Sequence, residues 1–119
     1  MASEDIKVNT SFARYSTPTH RLRVKGVDIS EYDVFVTYKQ GHVTKTFSGE
    51  EVVMETETSE QEGEQVTDTI IFVHMGQADS SLFRDGDIEV QVNWLVGEQR
   101  FATLIATTNA TRNLLTEVI

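Results

Sequence analysis

The chain has 119 residues, with 10 Lys and Arg against 19 Asp and Glu, a formal net charge of -9 and no cysteine. That length suits one domain whose core can fold without disulfides or a structural metal. The missing cysteines exclude thiol catalysis, Cys-ligated zinc and iron–sulfur clusters and fit synthesis in a reducing cytoplasm; the negative charge argues against a nucleic-acid partner.

Met1 to Thr10 is polar, so an exported protein is not expected, and no stretch approaches the roughly 20 apolar residues of a membrane helix. Residues 1–18 carry one apolar cluster, Phe12, Ala13 and Tyr15, and end at Pro18, the sole proline. They read as an extended arm outside a domain formed by residues 19–119. Ordering about 18 residues costs roughly 18–36 kcal/mol of backbone entropy, which takes about 700–1,400 Å² of apolar burial to offset. This is surface on the scale of a protein interface. The arm is therefore expected to dock on a neighbouring copy or another assembly protein, with Phe12 and Tyr15 as anchors and Arg14 between them.

Beyond the arm, short runs of β-branched and aromatic residues alternate with polar ones between Gly and Asp turn signals. His20 to Lys25 sends Leu22 and Val24 to one face and Arg21, Arg23 and Lys25 to the other. Asp33 to Gln40 points Val34, Val36 and Tyr38 inward, and Gly41 turns the chain into His42 to Phe47 as a hairpin. Val52 to Met54 is a short strand. The acidic stretch Glu55 to Glu64 reads as a solvated loop or extended hairpin tip, and its Glu55, Glu57, Glu60 and Glu62 are candidate contact residues.

Val66 to Met75 follows, apolar on both faces at its centre and so a covered strand. Gly76 to Asp87 is a long connection in which Asp79 caps a helical turn and Leu82 and Phe83 plug the core. Ile88 to Val96 alternates most clearly, with Ile88, Val90, Val92 and Trp94 inward. Arg100 to Thr107 completes a second hairpin, and the C-terminal Leu114, Leu115, Val118 and Ile119 need burial, with Leu114 and Leu115 as candidate contacts at a protein interface. These runs predict an all-β, immunoglobulin-like antiparallel sandwich of about seven strands with an N-terminal arm, or a small barrel.

Charge is segregated. No Lys or Arg lies between Lys45 and Arg84, where nine acids stand, while Arg14, Arg21, Arg23 and Lys25 gather near the start. This pattern suggests that the basic stripe of one copy meets the acidic loop of the next, a contact that could close a ring.

No glycine-rich phosphate loop, zincin, nucleophile-elbow or EF-hand pattern occurs, so neither catalysis nor a cofactor is expected. His20, His42 and His74 fall on different elements and read as partly exposed sheet residues rather than metal ligands. Asp79, Asp85 and Asp87 read as turn formers rather than calcium ligands. Trp94, Tyr32 and Tyr38 could form a sugar-stacking platform, although Trp94 is in phase with the core. The sequons at Asn9 and Asn109 carry no secretory context.

Four segments carry a resemblance: Thr17-Pro18-Thr19, Asp28-Ile29-Ser30-Glu31-Tyr32-Asp33-Val34-Phe35-Val36-Thr37-Tyr38-Lys39-Gln40-Gly41, Val90-Gln91-Val92-Asn93-Trp94, and Asn113-Leu114-Leu115-Thr116-Glu117-Val118-Ile119. From residue 17 to the end the chain resembles short proteins encoded among the structural genes of phages and prophages of Gram-positive bacteria. Its general look is similar to the N-terminal β-sandwich of phage baseplate upper proteins. It departs from that family in a longer acidic stretch, a longer arm and the loop His74 to Leu82. The resemblance implies a virion structural protein of the neck, tail, baseplate or capsid surface, made in the host cytoplasm. Its partners would be other phage structural proteins and copies of itself. A carbohydrate- or cell-surface-binding module is the alternative.

Overall fold

Two short strands of the fold come from the segment expected to lie outside it. In the computed structural model, which describes residues 6–8 and 11–114, β1 (Ile6–Val8) pairs antiparallel with β3 (Thr19–Val24). β2 (Phe12–Ala13) pairs in parallel with β10 (Ala106–Thr111). The arm thus adds a strand to each of two sheets. The burial that orders it is intramolecular: Phe12 is buried, with its ring edge-on to His20, Tyr38 and Phe83 at 5.6, 6.4 and 6.0 Å.

The remaining strands are β4 (Asp33–Gln40), β5 (Val43–Phe47), β6 (Val52–Gln61), β7 (Glu64–His74), β8 (Gly86–Val96) and β9 (Gln99–Ala102). One sheet runs β1-β3-β7-β6; the other runs β2-β10-β8-β4-β5, with β9 also paired to β8. The protein is all-β. The two strands of the arm, and a break in the run expected from Arg100 to Thr107, take the strand number beyond seven.

That break is a bulge. Ala102 faces Asn93 and Ala106 faces Val90, so three residues, Thr103 to Ile105, oppose the two residues Gln91 and Val92. Thr103 stitches the gap, its N–H donating to the Val92 carbonyl at 2.9 Å and its hydroxyl accepting from the Val92 N–H at 3.1 Å. Leu104 and Ile105 are thrown outward and stand 54% and 59% exposed.

Between the sheets the inward residues alternate as the period-2 pattern requires. Leu22 and Val24, Val34, Val36 and Tyr38, Ile71 and Val73, and Ile88, Val90, Val92 and Trp94 are all buried. Phe83 also enters the core from the connection that contains the helical turn α1 (Gln77–Ser80). Asp79 caps that turn, its carboxylate accepting from the Gly76 N–H at 2.9 Å. Leu82, expected beside Phe83 as a plug, is instead exposed, because one side chain fills that end. Leu114 is 86% exposed rather than buried; Leu115, Val118 and Ile119 lie outside the described residues.

A polar group crosses this core. His20 is buried, its Nδ1 2.7 Å from the Tyr38 hydroxyl and its Nε2 3.2 Å from the Thr108 hydroxyl. His20 lies on one sheet, Tyr38 and Thr108 on the other. Burial also pushes the Tyr38 phenol well above its ordinary pKa, so it stays neutral. Replacing His20 by Leu leaves the Tyr38 hydroxyl without this bond and should cost about 1–3 kcal/mol in urea denaturation, part of which Tyr38→Phe recovers in the same background.

Deleting residues 2–16 removes both arm strands and should lower the melting temperature sharply. Phe12→Ala alone should cost about 3–5 kcal/mol. A truncated domain as stable as the full chain would refute this placement of the arm.

Candidate functional site

Strands β6 and β7 outrun their sheet. They pair continuously from Val52 opposite Val73 to Gln61 opposite Glu64, whereas their neighbour β3 ends at Val24 opposite Thr69. The segment from Glu57 opposite Asp68 to the tip is therefore a two-stranded ribbon standing beyond the sandwich. At about 3.4 Å per residue its five pairs reach roughly 17 Å, and the molecule measures 49 × 31 × 24 Å. Of the two forms expected for the acidic stretch, this is the extended hairpin tip.

The local sequence explains the ribbon. Thr58, Val66 and Thr67 supply β-branched residues, and the Thr58 and Thr67 hydroxyls meet across the strands at 3.0 Å. Glu62 and Gly63 form the two-residue loop, both with positive φ, 52° and 82°, as a type I′ turn requires. Glycine tolerates that conformation and glutamate does not favour it.

At the ribbon base the charges are balanced. Arg23 donates to Asp68 at 2.8 Å and to Glu57 at 3.3 Å, and Asp68 also accepts from the Gly26 N–H at 2.8 Å. Burial pushes the Asp68 pKa up, but the Gly26 N–H and the Arg23 guanidinium more than offset it, holding the carboxyl below its ordinary range with help from Lys25. Further out, Glu60, Glu62 and Glu64 are exposed, and no basic residue stands within the ribbon.

This arrangement revises the stripe-to-loop contact. Arg23 and Glu57 already satisfy each other within one chain, and β3 is an inner strand rather than an edge. Arg21 lies over the Phe72 ring at 6.0 Å. Lys25 is exposed on the loop after β3, and Glu55 is exposed beside Ile70. The arm candidates are engaged inside the fold: Phe12 is in the core, and the Arg14 Nε donates to the Phe83 carbonyl while its guanidinium lies 3.8 Å from Asp85. Tyr15 is half-buried with Arg14 over its ring at 5.2 Å. Leu114 is exposed, and Leu115 falls outside the described residues.

The three histidines occupy different settings. His20 is buried rather than partly exposed, His42 is exposed, and His74 touches Thr19 at the surface at 3.1 Å. Among the described residues no group of three or more His, Asp and Glu side chains is placed to hold a metal ion. The sugar platform is not assembled, since Trp94 and Tyr38 are buried, Trp94 stacks on Phe101 at 6.0 Å, and only Tyr32 reaches solvent.

Sequence reading located the acids but missed Asp68 as the partner of Arg23. The parity of β7, which puts Asp68 on the face of Ile70 and opposite Ile71, was the available signal. No protein-family model matches the chain, and no curated protein matches it.

Because the folded Asp68 pKa lies below the unfolded value of about 3.9, its stabilisation is complete above that value and is lost as pH falls through the folded pKa. The stability gap between wild type and Asp68→Asn should thus be full at neutral pH and close progressively below about pH 4. A gap that widened on acidification would contradict the assignment. At the tip, Glu62→Asn should raise stability by about 0.5–1 kcal/mol, because Asn tolerates positive φ, read as a higher urea midpoint.

Proposed function

We propose that this chain is a structural component of a bacteriophage particle, an accessory or adaptor protein of the neck, tail, baseplate or capsid surface that works through protein contacts. The observation that carries the reading is the ribbon: an ordered two-stranded projection, exposed on both faces from Glu57 through the tip to Gln65, has no core of its own to stabilise it. Isolated hairpins are marginal in water. A projection of this kind is used by burying it against something else.

The phage context rests on the segments quoted from Thr17 to Ile119, three of which lie on or beside strands of the two sheets. We also propose that the sandwich is immunoglobulin-like. The orders β1-β3-β7-β6 and β10-β8-β4-β5 parallel the A-B-E-D and G-F-C-C′ sheets of that architecture, with β2 as an added strand beside β10. Copies of the chain and other structural proteins are its partners, and the virion is its place of work. The carbohydrate-binding alternative has less support, because two of its three stacking aromatics are in the core.

The test is mass spectrometry of density-purified phage or induced prophage particles from the source strain. The chain should co-sediment with the particle in fixed stoichiometry, resist a salt wash and label at one location by immunogold. Its confinement to the soluble lysate would refute the proposal.

A further inference from the structure

The sheet that carries the ribbon is open along β6; among the described residues β7 is unpaired by β3 only over its short ribbon segment before Thr69, whereas β6 is open along its whole length. Strand β6 is the last strand of its sheet, ten residues long, and among the described residues nothing pairs with its outer edge. The two-residue loop makes Gln61 and Glu64 the hydrogen-bonded closing pair, so by alternation the N–H and C=O groups of Val52, Met54, Thr56, Thr58 and Glu60 point away from β7. Proteins blunt such edges with proline, bulges, charged side chains or a covering element. β6 has none of the first two, being regularly paired along its length.

What it has instead is charge of one sign. Glu55, Glu57 and Glu60 lie on the strand, with Glu62 and Glu64 at the tip, and Arg23 compensates only Glu57 and Asp68. Antiparallel pairing of β6 with β6 of a second copy would set these glutamates beside their equivalents, and like charges across a ladder are destabilising. The basic residues Arg21 and Arg23 cannot serve as the opposite strand, because β3 is already flanked by β1 and β7.

We infer that the outer edge of β6 is closed by an extended, lysine- or arginine-rich segment of a different protein, added as a further antiparallel or parallel strand. Backbone hydrogen bonds supply the docking and the glutamates select the partner. This deepens the assembly reading above and rests on it.

The full chain is titrated with three fluorescent peptides of the length of β6: alternating lysine and threonine, alternating lysine and proline, and alternating glutamate and threonine. The lysine–threonine peptide should bind about tenfold or more tighter than the lysine–proline peptide, which has equal charge but cannot supply the ladder of amides. The glutamate–threonine peptide should not bind. Binding should weaken steeply as salt rises from about 0.02 to about 1 M, and bound peptide should slow hydrogen exchange at Met54, Thr56, Thr58 and Glu60.

Thr58→Pro removes an outward N–H without breaking a backbone bond to β7, losing only the exposed hydroxyl contact with Thr67, and should abolish binding while the melting temperature stays close to wild type. Equal affinity for the two lysine peptides, no binding of the lysine–threonine peptide, or a dimer in sedimentation that Thr58→Pro dissolves would each overturn the inference. Presence of the chain in purified particles together with any of those results would sink this inference and leave the structural role standing.

Discussion

The buried imidazole of His20 sets the relation between the two sheets. An apolar core tolerates small slips of one sheet over the other, because dispersion has no direction. A histidine reaching from β3 to a phenol on β4 and a hydroxyl on β10 does not, since misalignment leaves buried polar atoms without partners. Around it Phe12, Tyr38, Phe47 and Phe83 form an aromatic cluster with edge-on contacts, so the arm, both sheets and the α1 connection meet at one place. The position of the ribbon follows from this junction. β7 starts as one side of the projection at Glu64 and, still in register, carries Ile71 and Val73 into the fixed core.

The ribbon and the core divide the work by composition. Inside, alternate residues are apolar and bind the chain to itself. Outside, the same strands continue with threonine and glutamate, which keep β structure while giving the sandwich no reason to fold over them. Asp68 marks the changeover: it is the first buried residue of β7 after the exposed part, and it is held by Arg23 and the Gly26 amide. Five of the nine acids between Lys45 and Arg84 are therefore carried by the projection.

Most of the sandwich was legible because burial on one face leaves a period-2 trace. Ile88 to Trp94 is the plainest case, and Leu22, Val24, Val34, Val36 and Tyr38 follow it. Where burial is absent from both faces the trace vanishes, which is why Glu55 to Gln61 could be read as a loop as well as a strand; the threonines alternating with glutamates were the remaining hint. Phe12 and Ala13 form a strand too short to show any period, so the arm's place in the sheets was invisible. His20 shares the parity of Leu22 and Val24, and that phase pointed inward even though its chemistry suggested the surface. The bulge was hidden by its own residues, Leu104 and Ile105, whose apolar side chains imitate a continuing strand.

The parallel pairing of Phe12 with Ala110 and Ala13 with Thr111 joins segments far apart along the chain. A ribosome delivers Phe12 long before Ala110, so the nascent sandwich stays open along that edge until β10 has been made. Contacts so distant along the chain also slow folding after release. Until β10 arrives, the cavity that receives Phe12 is unlidded, and the newborn protein passes through a stage in which its aromatic interior is accessible to chaperones.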